Sequence, residues 1–512
     1  MLNAEIEEQS IAQRSIKSAA WLFGRRISIS LIRLAAVAIL ARHLSPADFG
    51  LVALAQVLLQ FIVLTSVTGI GTYVIYDRAA GWEDRTHSAF WLNFSITLAQ
   101  LILCAVGIYV VTYFYPQNEL RAILAALAVV FFMRQMVVIP EALLQRSLKY
   151  EPLVARDTVF DILSAGLSVA LAIKGWGLWS LVMPQVVLEP FRLVAIFSVA
   201  KWLPNFRLGL KDWPRIGWYA GHSIGTNFLN LIANDGDTLL VGKILGSQPL
   251  GYYNLAWQFS NLIGRNVTAV ISSVAMPALS MLKKNELQLQ DAYRRMLRLL
   301  AAISFPALCG IFAIAGDLVQ IIYGPKWEPI VILLRIFIVF TMVRSVTSPS
   351  GVIYNVVGRP DIGFKFTVVF LPFYLGAIYI GSQYGIVGVA VGVTIVRTVG
   401  GLIAFALSER LIHMPFLRGI AVMLRAGVLS IAMGGFVWAA DAVLAGLGIE
   451  LLLRTIFCVV FGALIYIIGL AIFERETYLE VTNLTSSLIP APIRAKLGQL
   501  ANWSTFTDVK NL

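Results

Sequence analysis

Ile39-Leu-Ala-Arg-His-Leu-Ser-Pro-Ala-Asp-Phe-Gly50 and Leu240-Val-Gly-Lys-Ile-Leu-Gly-Ser-Gln-Pro-Leu-Gly251 are two stretches of this chain that share one pattern. Each contains the end of an apolar run, a basic residue (Arg42 or Lys243), a turn, and a glycine that opens the next apolar run. The second glycine follows the first by 201 residues. The pattern predicts an internal repeat, in which the two halves of the chain have the same fold.

Two further matches follow in the same order. Phe132-Met-Arg134 matches Met342-Val-Arg344 at an offset of 210 residues, and Gly177-Leu-Trp-Ser-Leu matches Gly385-Ile-Val-Gly-Val at an offset of 208 residues. Three matches at nearly one offset favour a repeat, and the alternative is a coincidence of glycine and leucine in apolar helices.

The composition indicates which solvent surrounds these repeats. Of 512 residues, 58% are hydrophobic and 13% are charged, and the mean hydropathy is +0.80. Soluble domains carry about 25% charged residues, so a chain of this composition is predicted to lie in a lipid bilayer. The net charge of +12 is spread through short loops, which is typical of a topology signal and argues against nucleic acid as a partner.

Fourteen apolar runs are long enough to cross the hydrocarbon, which takes about 20 residues in a helix. The sequence therefore predicts an all-α polytopic membrane protein with about 14 transmembrane helices. The predicted spans are 18–40, 47–75, 88–114, 119–139, 155–173, 176–199, 216–243, 250–277, 296–322, 330–356, 364–381, 385–407, 417–440 and 450–473.

The repeat and the spans together predict the domain organisation. An N-lobe (1–200, helices one to six) and a C-lobe (216–410, helices seven to twelve) are joined by the cytoplasmic connection 201–215. Residues 411–475 form helices thirteen and fourteen, and 476–512 form a polar, weakly ordered cytoplasmic tail. Because six is an even number of helices, the two lobes are parallel repeats about a pseudo-two-fold axis along the membrane normal.

The loops indicate the orientation in the membrane. With the N-terminus inside, the cytoplasmic segments hold 24 lysines and arginines, and the opposite segments hold 5. Basic residues accumulate on the cytoplasmic side, so both termini are predicted to be cytoplasmic in a multi-pass protein of a bacterial inner membrane. No basic region followed by a cleavage site precedes the first run, which is therefore predicted to be an uncleaved helix.

Arginines within the predicted spans are the candidate substrate-binding residues. A charged side chain near the centre of a membrane helix is costly, so it has to face protein or water. Guanidinium groups bind phosphate oxygens in bidentate geometry, and the spans contain so few carboxylates that a diphosphate is a suitable counter-ion. The alternatives are structural ion pairs and side chains that snorkel to the membrane surface. The arginines predicted to face a water-filled, cationic central cavity are Arg26, Arg33, Arg134, Arg265 and Arg344.

Asn234, Asp235 and Asp237 lie midway along the seventh predicted helix. They either bind a proton or sodium ion that energises transport, or act as counter-ions of the arginines on the first and eighth helices. The 3 cysteines and 4 histidines show no metal-ligand spacing, so neither a metal nor another cofactor is expected.

Several short motifs lie in a fixed order over nearly the whole chain. They are Trp21…Arg33…Leu40-Ala-Arg-His-Leu-Ser-Pro…Phe49-Gly50, Leu143-Leu-Gln-Arg-Ser-Leu-Lys149, Asp237…Val241-Gly-Lys-Ile-Leu-Gly-Ser…Leu250-Gly-Tyr-Tyr-Asn-Leu-Ala256 and Gly358-Arg-Pro-Asp361. By these motifs the chain resembles the Wzx-type polysaccharide flippases of the MOP (multidrug/oligosaccharidyl-lipid/polysaccharide) exporter superfamily, nearest their colanic-acid and exopolysaccharide branch.

The resemblance implies a V-shaped, MATE-like fold of two six-helix lobes and two extra C-terminal helices. It also implies translocation of undecaprenyl-diphosphate-linked oligosaccharide repeat units from the cytoplasmic to the periplasmic leaflet, for extracellular polysaccharide or lipopolysaccharide synthesis. Related lipid II flippases use cavity arginines on their first, second and eighth helices. Arg26, Arg33 and Arg265 match on the first and eighth, and the second helix here has no arginine. The expected partners are the lipid-linked glycan, membrane lipids and polysaccharide polymerase or export proteins.

Two other classes of function stay open. One is a MATE-like drug/cation antiporter of the same superfamily, which an electropositive cavity disfavours. The other is a non-transporting membrane component of polysaccharide assembly, such as a polymerase, a ligase or a scaffold. A polymerase or ligase would be expected to place a catalytic domain in a long outer loop, and the predicted outer loops hold only a few residues. The chain is therefore predicted not to be an enzyme.

Overall fold

The computed structural model describes residues 29–488, except 31, 64–67, 78, 80, 116 and 207. Within helices, the side chains of 68, 118, 219–227, 263, 265–278 and 483–488 lie outside the description. All regular secondary structure in the described residues is helical, which confirms the predicted all-α class.

The chain forms a succession of helices joined by short turns. The first helix, α1, is described over 29–43, except 31. The others are α2 (Pro46–Ile62), α3 (Thr68–Tyr76), α4 (Trp82–Phe114), α5 (Asn118–Arg146), α6 (Tyr150–Ile173), α7 (Trp179–Ala200), α8 (Trp213–Ile244), α9 (Ser247–Met281), α10 (Glu286–Ala313), α11 (Ala315–Ile322), α12 (Ile330–Thr347), α13 (Ser350–Val357), α14 (Asp361–Ser382), α15 (Gly385–Leu411), α16 (Phe416–Gly446), α17 (Leu451–Phe473) and α18 (Arg475–Leu488), with a turn of 3-10 helix at Pro325–Trp327.

The helices follow the predicted spans with three interruptions. The second, ninth and tenth predicted spans are each divided into two helices, which are α2 and α3, α10 and α11, and α12 and α13. Within the described ranges, 9 helical stretches are long and apolar enough to cross a membrane by length and composition. The chain is therefore a multi-pass membrane protein, and the total of fourteen crossings stays a prediction.

The chain that follows the last predicted span is helical as far as Leu488. Arg298 of α10 donates hydrogen bonds to the carboxylates of Glu476 (3.2 Å) and Glu480 (2.9 Å), which lie one turn apart on α18. The segment Arg475–Leu488 is therefore helical and contacts α10, and the weak order of the tail stays a prediction.

The described chain packs into two compact units. Unit 1 consists of the residues up to Leu262 together with Ala315–Phe405, and unit 2 consists of Ile263–Ile314 together with the residues from Ala406 on. In unit 2, α10 packs against α16, α17 and α18. The boundaries of the two predicted lobes stay a prediction.

In unit 1, α2 begins with a capping box. The hydroxyl of Ser45 accepts a hydrogen bond from the N–H of Asp48 (3.3 Å), and the Asp48 carboxylate accepts one from the N–H of Ser45 (2.8 Å). Pro46 occupies the start of the helix, where its missing N–H leaves no hydrogen bond unmade. The sequence Ser-Pro-Ala-Asp is therefore a helix start, in agreement with the turn predicted by the repeat pattern.

Helices α2 and α9 cross at the glycines that end the two matching stretches. A Cβ atom at Gly50 would lie 1.8 Å from the carbonyl oxygen of Ser247, and one at Gly251 would lie 1.8 Å from that of Pro46. Ser247 follows Pro46 by 201 residues, as Gly251 follows Gly50. Because each repeat makes the same contact with the other, the crossing has the reciprocity that a two-fold axis produces.

Replacing Gly251 with alanine is expected to destabilise the protein, because the backbone of Pro46 cannot make room without moving all of α2. We expect a loss of about 1–3 kcal/mol, seen as a lower melting temperature in detergent. The control is Gly166→Ala on α6, where no atom lies within 4 Å of the added Cβ. Equal melting temperatures for the two variants would contradict the close approach.

Candidate functional site

Two of the predicted arginines lie against carboxylates on neighbouring helices of unit 1. Arg33 on α1 donates a hydrogen bond to Asp161 on α6, with 3.2 Å between nitrogen and oxygen. Arg134 on α5 donates to Glu189 on α7 at 3.3 Å and to the amide oxygen of Gln185, also at 3.3 Å. A guanidinium carries five N–H donors, so these contacts engage only part of either group.

The two partners of each pair differ in exposure. The side chains of Arg33 and Arg134 are 65% and 48% exposed, whereas those of Asp161 and Glu189 are 17% and 5% exposed. The carboxylates are therefore enclosed by protein, and the guanidinium groups lie at the surface of unit 1.

A second group of charges lies beside these pairs, and its arginines are less exposed than Arg33 and Arg134. Arg156 and Arg192 both donate to Asp157, at 2.7 and 2.6 Å. Arg156, whose side chain is 4% exposed, also forms an ion pair with Glu141. Sequence reasoning missed Arg156 and Glu141 because both lie at the ends of predicted spans, where charged residues are ordinary.

The spacing of the charged residues brings the pairs together. Asp157 and Asp161 are four residues apart on α6, and Glu189 and Arg192 are three apart on α7, so each couple shares a helix face. The whole group contains four arginines and four carboxylates and is formally neutral. In this group, the expected excess of arginine over carboxylate is therefore not found.

The corresponding helices of the second repeat carry Arg344 on α12 and Arg397 on α15. Arg344 donates a hydrogen bond to the amide oxygen of Asn261 on α9 at 2.9 Å. Arg344 follows Arg134 by 210 residues, and Arg397 follows Glu189 by 208 residues, which is the offset of the third sequence match. The arginine–glutamate pair of the first repeat therefore corresponds to two arginines in the second.

Arg397 lies against Asp237, one of the three polar residues singled out on the seventh predicted helix. Its Nη2 atom is 3.8 Å from Asp237 Oδ2 and donates to the hydroxyl of Tyr374 at 2.6 Å. Asp237 also accepts hydrogen bonds from the Tyr253 hydroxyl and the Thr238 N–H, both at 2.8 Å. The side chain of Asp237 is 3% exposed, so within the described residues its counter-ion is Arg397. The repeat offset was the signal that could have identified Arg397 from the sequence.

The other predicted site residues are distributed as follows. Asn234 lies on α8, where its amide donates to the carbonyl of Asn230 at 2.7 Å, and Asp235 lies next to it on the same helix. Arg26 lies outside the described residues, and Arg265 lies on α9 with its side chain outside the description. The described part of the chain contains no cluster of histidine, cysteine or carboxylate side chains suited to a metal ion.

One end of unit 1 is held together by basic side chains that bind backbone carbonyls. Arg42 donates to the carbonyl oxygen of Ile321 at 2.6 Å, and Lys243 donates to that of Phe114. Arg42 and Lys243 occupy equivalent positions in the repeat, and their acceptors lie at the ends of α11 and α4. We call these two reciprocal contacts the carbonyl latch.

Lys326 and Trp327 strengthen the same end. Lys326 donates to the carbonyl oxygen of Leu44 at 2.7 Å, and the indole N–H of Trp327 donates to that of Ala41 at 2.8 Å. Partial burial lowers the pKa of the Lys326 amine below its usual value, because the charged form loses water. Three of the four contacts join the end of α1 and the turn after it to the end of α11 and the turn after it, and the fourth joins α8 to α4.

Comparison with known proteins gives consistent matches over most of the chain. The model of one family, described as "Polysaccharide biosynthesis protein", matches residues 39–332. The teichuronic acid biosynthesis protein TuaB of Bacillus subtilis (strain 168) is 23% identical over 461 residues, which cover 90% of this chain and 95% of TuaB. The lipopolysaccharide biosynthesis protein WzxC of Escherichia coli (strain K12) is 25% identical over 419 residues, which cover 77% of this chain and 81% of WzxC.

One solved structure shows the same fold. Lipid II flippase MurJ in an inward closed conformation matches with a TM-score of 0.69 at 16% identity, covering 89% of this chain and 99% of MurJ. Together with the family match, these similarities confirm the resemblance to Wzx-type flippases and the predicted fold class.

Removing the Arg397 guanidinium alone is expected to destabilise the protein more than removing both charges of its pair. Arg397→Met leaves the carboxylate of Asp237 buried without a cation, at a cost of about 3–5 kcal/mol. Adding Asp237→Asn removes the uncompensated charge and is expected to recover at least half of the lost melting temperature in detergent. A double variant no more stable than Arg397→Met would show that the ion pair is not the source of the effect.

Proposed function

Because the chain belongs to the polysaccharide biosynthesis protein family, we propose that it moves an oligosaccharide linked to undecaprenyl diphosphate across a bacterial inner membrane. The glycan crosses from the cytoplasmic to the periplasmic leaflet, for extracellular polysaccharide or lipopolysaccharide synthesis, and both termini of the chain are cytoplasmic. TuaB and WzxC are named for polysaccharide synthesis, and MurJ is named as a lipid II flippase, which supports transport rather than catalysis.

The observation that carries this proposal is the pair of half-exposed arginines on helices α1 and α5. A guanidinium at the surface of a membrane-embedded unit requires water or an anion beside it. The N–H groups that Asp161 and Glu189 do not engage are suited to the oxygens of a diphosphate. The proposed diphosphate-binding residues are Arg26, Arg33, Arg134, Arg265 and Arg344.

The proposed mechanism is alternating access between the two repeats. The carbonyl latch and the glycine crossing hold the repeats together at the end that we assign to the periplasm, because the predicted topology places Arg42 and Lys243 in outer loops. The diphosphate enters from the cytoplasmic side while the prenyl chain stays in lipid. Release of the latch then opens the outer end, and water satisfies the carbonyls that the two basic residues leave.

We further propose that Asp237 acts as a structural counter-ion and does not couple transport to an ion gradient. Arg397 already supplies a cation to its carboxylate, and Tyr253 and Thr238 donate hydrogen bonds to it. A proton or sodium ion would have to replace a guanidinium that Tyr374 also binds. Asn234 and Asp235 are then the candidates for an ion site on α8.

The test uses purified protein in liposomes that contain a fluorescent undecaprenyl-diphosphate oligosaccharide, with quencher access reporting the leaflet. Arg33→Ala and Arg134→Ala are each expected to slow crossing by about tenfold or more, because each removes a charge-assisted contact to the diphosphate. The matched control is Arg425→Ala, since Arg425 also makes a single 3.2 Å contact to a less exposed carboxylate, Glu474, in unit 2.

The outcomes separate the rival functions. Protein-dependent crossing that both arginine variants retain would contradict the binding role of Arg33 and Arg134. Drug efflux without any crossing of the lipid-linked glycan would favour the drug/cation antiporter. Absence of both activities, with proton and sodium gradients applied, would favour a scaffold in polysaccharide assembly.

A further inference from the structure

We infer that Asp161 and Glu189 occupy the place of phosphate on Arg33 and Arg134 when no substrate is bound. A diphosphate that binds then displaces the two carboxylates from the arginines. The inference rests on the proposed function and adds two residues that compete with the substrate for the arginines. It follows from the lengths of the ion pairs, from the exposure of the partners, and from the carboxylate charge that remains once phosphate has replaced the carboxylate on the arginine.

Two kinds of ion pair lie side by side on α6 and α7. Arg156 and Arg192 lie within 2.7 Å of one oxygen of Asp157, which is the length of a strong charge-assisted hydrogen bond. The pairs of Arg33 with Asp161 and of Arg134 with Glu189 are 3.2 and 3.3 Å long. The longer contacts are the weaker ones, so they are the ones that an incoming anion can replace.

The exposure of the partners determines which of them moves. Arg33 and Arg134 are about half exposed or more, so an anion can reach them without passing through protein. Asp161 and Glu189 are largely enclosed, so an anion can take over the guanidinium but cannot expel the carboxylate. After exchange, the carboxylate therefore remains close to the bound phosphate.

That remaining charge has two consequences. A carboxylate beside a phosphate repels it, so binding is weaker than it would be to the arginines alone, and the carboxylate helps to release the substrate after crossing. An anion must also outcompete the carboxylate to enter, which favours a diphosphate, with its higher charge, over singly charged anions. The two acids thus set both selectivity and release.

The test measures binding of glycan-free undecaprenyl diphosphate to the full-length protein in detergent by calorimetry. Glu189→Gln and Asp161→Asn keep the shape of the side chain and remove its charge. We expect each to lower the Kd by about tenfold and to slow crossing in liposomes, because release becomes limiting. A carboxylate that merely positioned its arginine would give the opposite change, a higher Kd.

Two control variants each remove one carboxylate charge that does not compete with phosphate for Arg33 or Arg134. Asp157→Asn acts on the same face of α6 but removes short contacts to two arginines that are less exposed than Arg33 and Arg134, and it is expected to lower the melting temperature with an unchanged Kd. Glu474→Gln removes an acid that has the same long contact to an exposed arginine, outside the proposed site. Its Kd is expected to equal that of the wild type.

Each result decides the inference. Unchanged or weaker binding by Glu189→Gln and Asp161→Asn would overturn it, while the proposed function would stand if Arg33→Ala still binds less well than the wild type. An equal decrease in Kd for Asp157→Asn or Glu474→Gln would also overturn the inference, since the net charge of the protein would then set the affinity. A wild-type protein that binds no undecaprenyl diphosphate would overturn the proposed function and the inference together. If Glu189→Gln does not fold, the Kd of Asp161→Asn tests the inference at the pair of Arg33 and Asp161.

Discussion

The close approach of α2 and α9 at Gly50 and Gly251 is the constraint on which the arrangement of unit 1 depends. Helices in lipid gain little hydrophobic driving force from meeting, so they associate where small residues let their backbones come close. At each glycine, the space that a side chain would need is filled by a carbonyl group of the other repeat. The two repeats are therefore joined backbone to backbone at this crossing.

The same end of unit 1 shows how a reciprocal contact can be specific and still reversible. Arg42 and Lys243 hold equivalent places in the repeat, and each binds a carbonyl oxygen in the last turn of a helix from the other repeat. The end of a helix carries a partial negative charge, so a basic side chain is favourable there. The net gain of such a hydrogen bond over water is only about 0.5–1.5 kcal/mol, or somewhat more with a charged donor. The contacts therefore select one arrangement of the repeats without making it permanent.

The repeats have diverged in how they neutralise an embedded arginine. In the first, Arg134 is met by Glu189, and in the second, the position of Glu189 is taken by Arg397, whose charge is met by Asp237 on another helix. Both ion pairs prevent an arginine from being left without a counter-ion in a medium of low dielectric constant. They differ in exposure, because the side chain of Arg397 is 14% exposed and that of Arg134 is 48% exposed. Of these two arginines, Arg134 is accessible at the surface of unit 1 and Arg397 is enclosed.

The sequence by itself determined that the chain is helical, crosses a membrane many times and contains a repeat, because apolar run length, charge content and glycine spacing are local or periodic properties. It also placed Arg33 and Arg134 within predicted spans. Only the tertiary structure decided their partners, since Asp161 lies 128 positions from Arg33, and Glu189 lies 55 positions from Arg134. Likewise, hydropathy did not register the breaks between α10 and α11 or α12 and α13, because each break is only one or two residues long within a run that is apolar overall. Which distant helices meet depends on how their surfaces pack, and no local pattern contains that information.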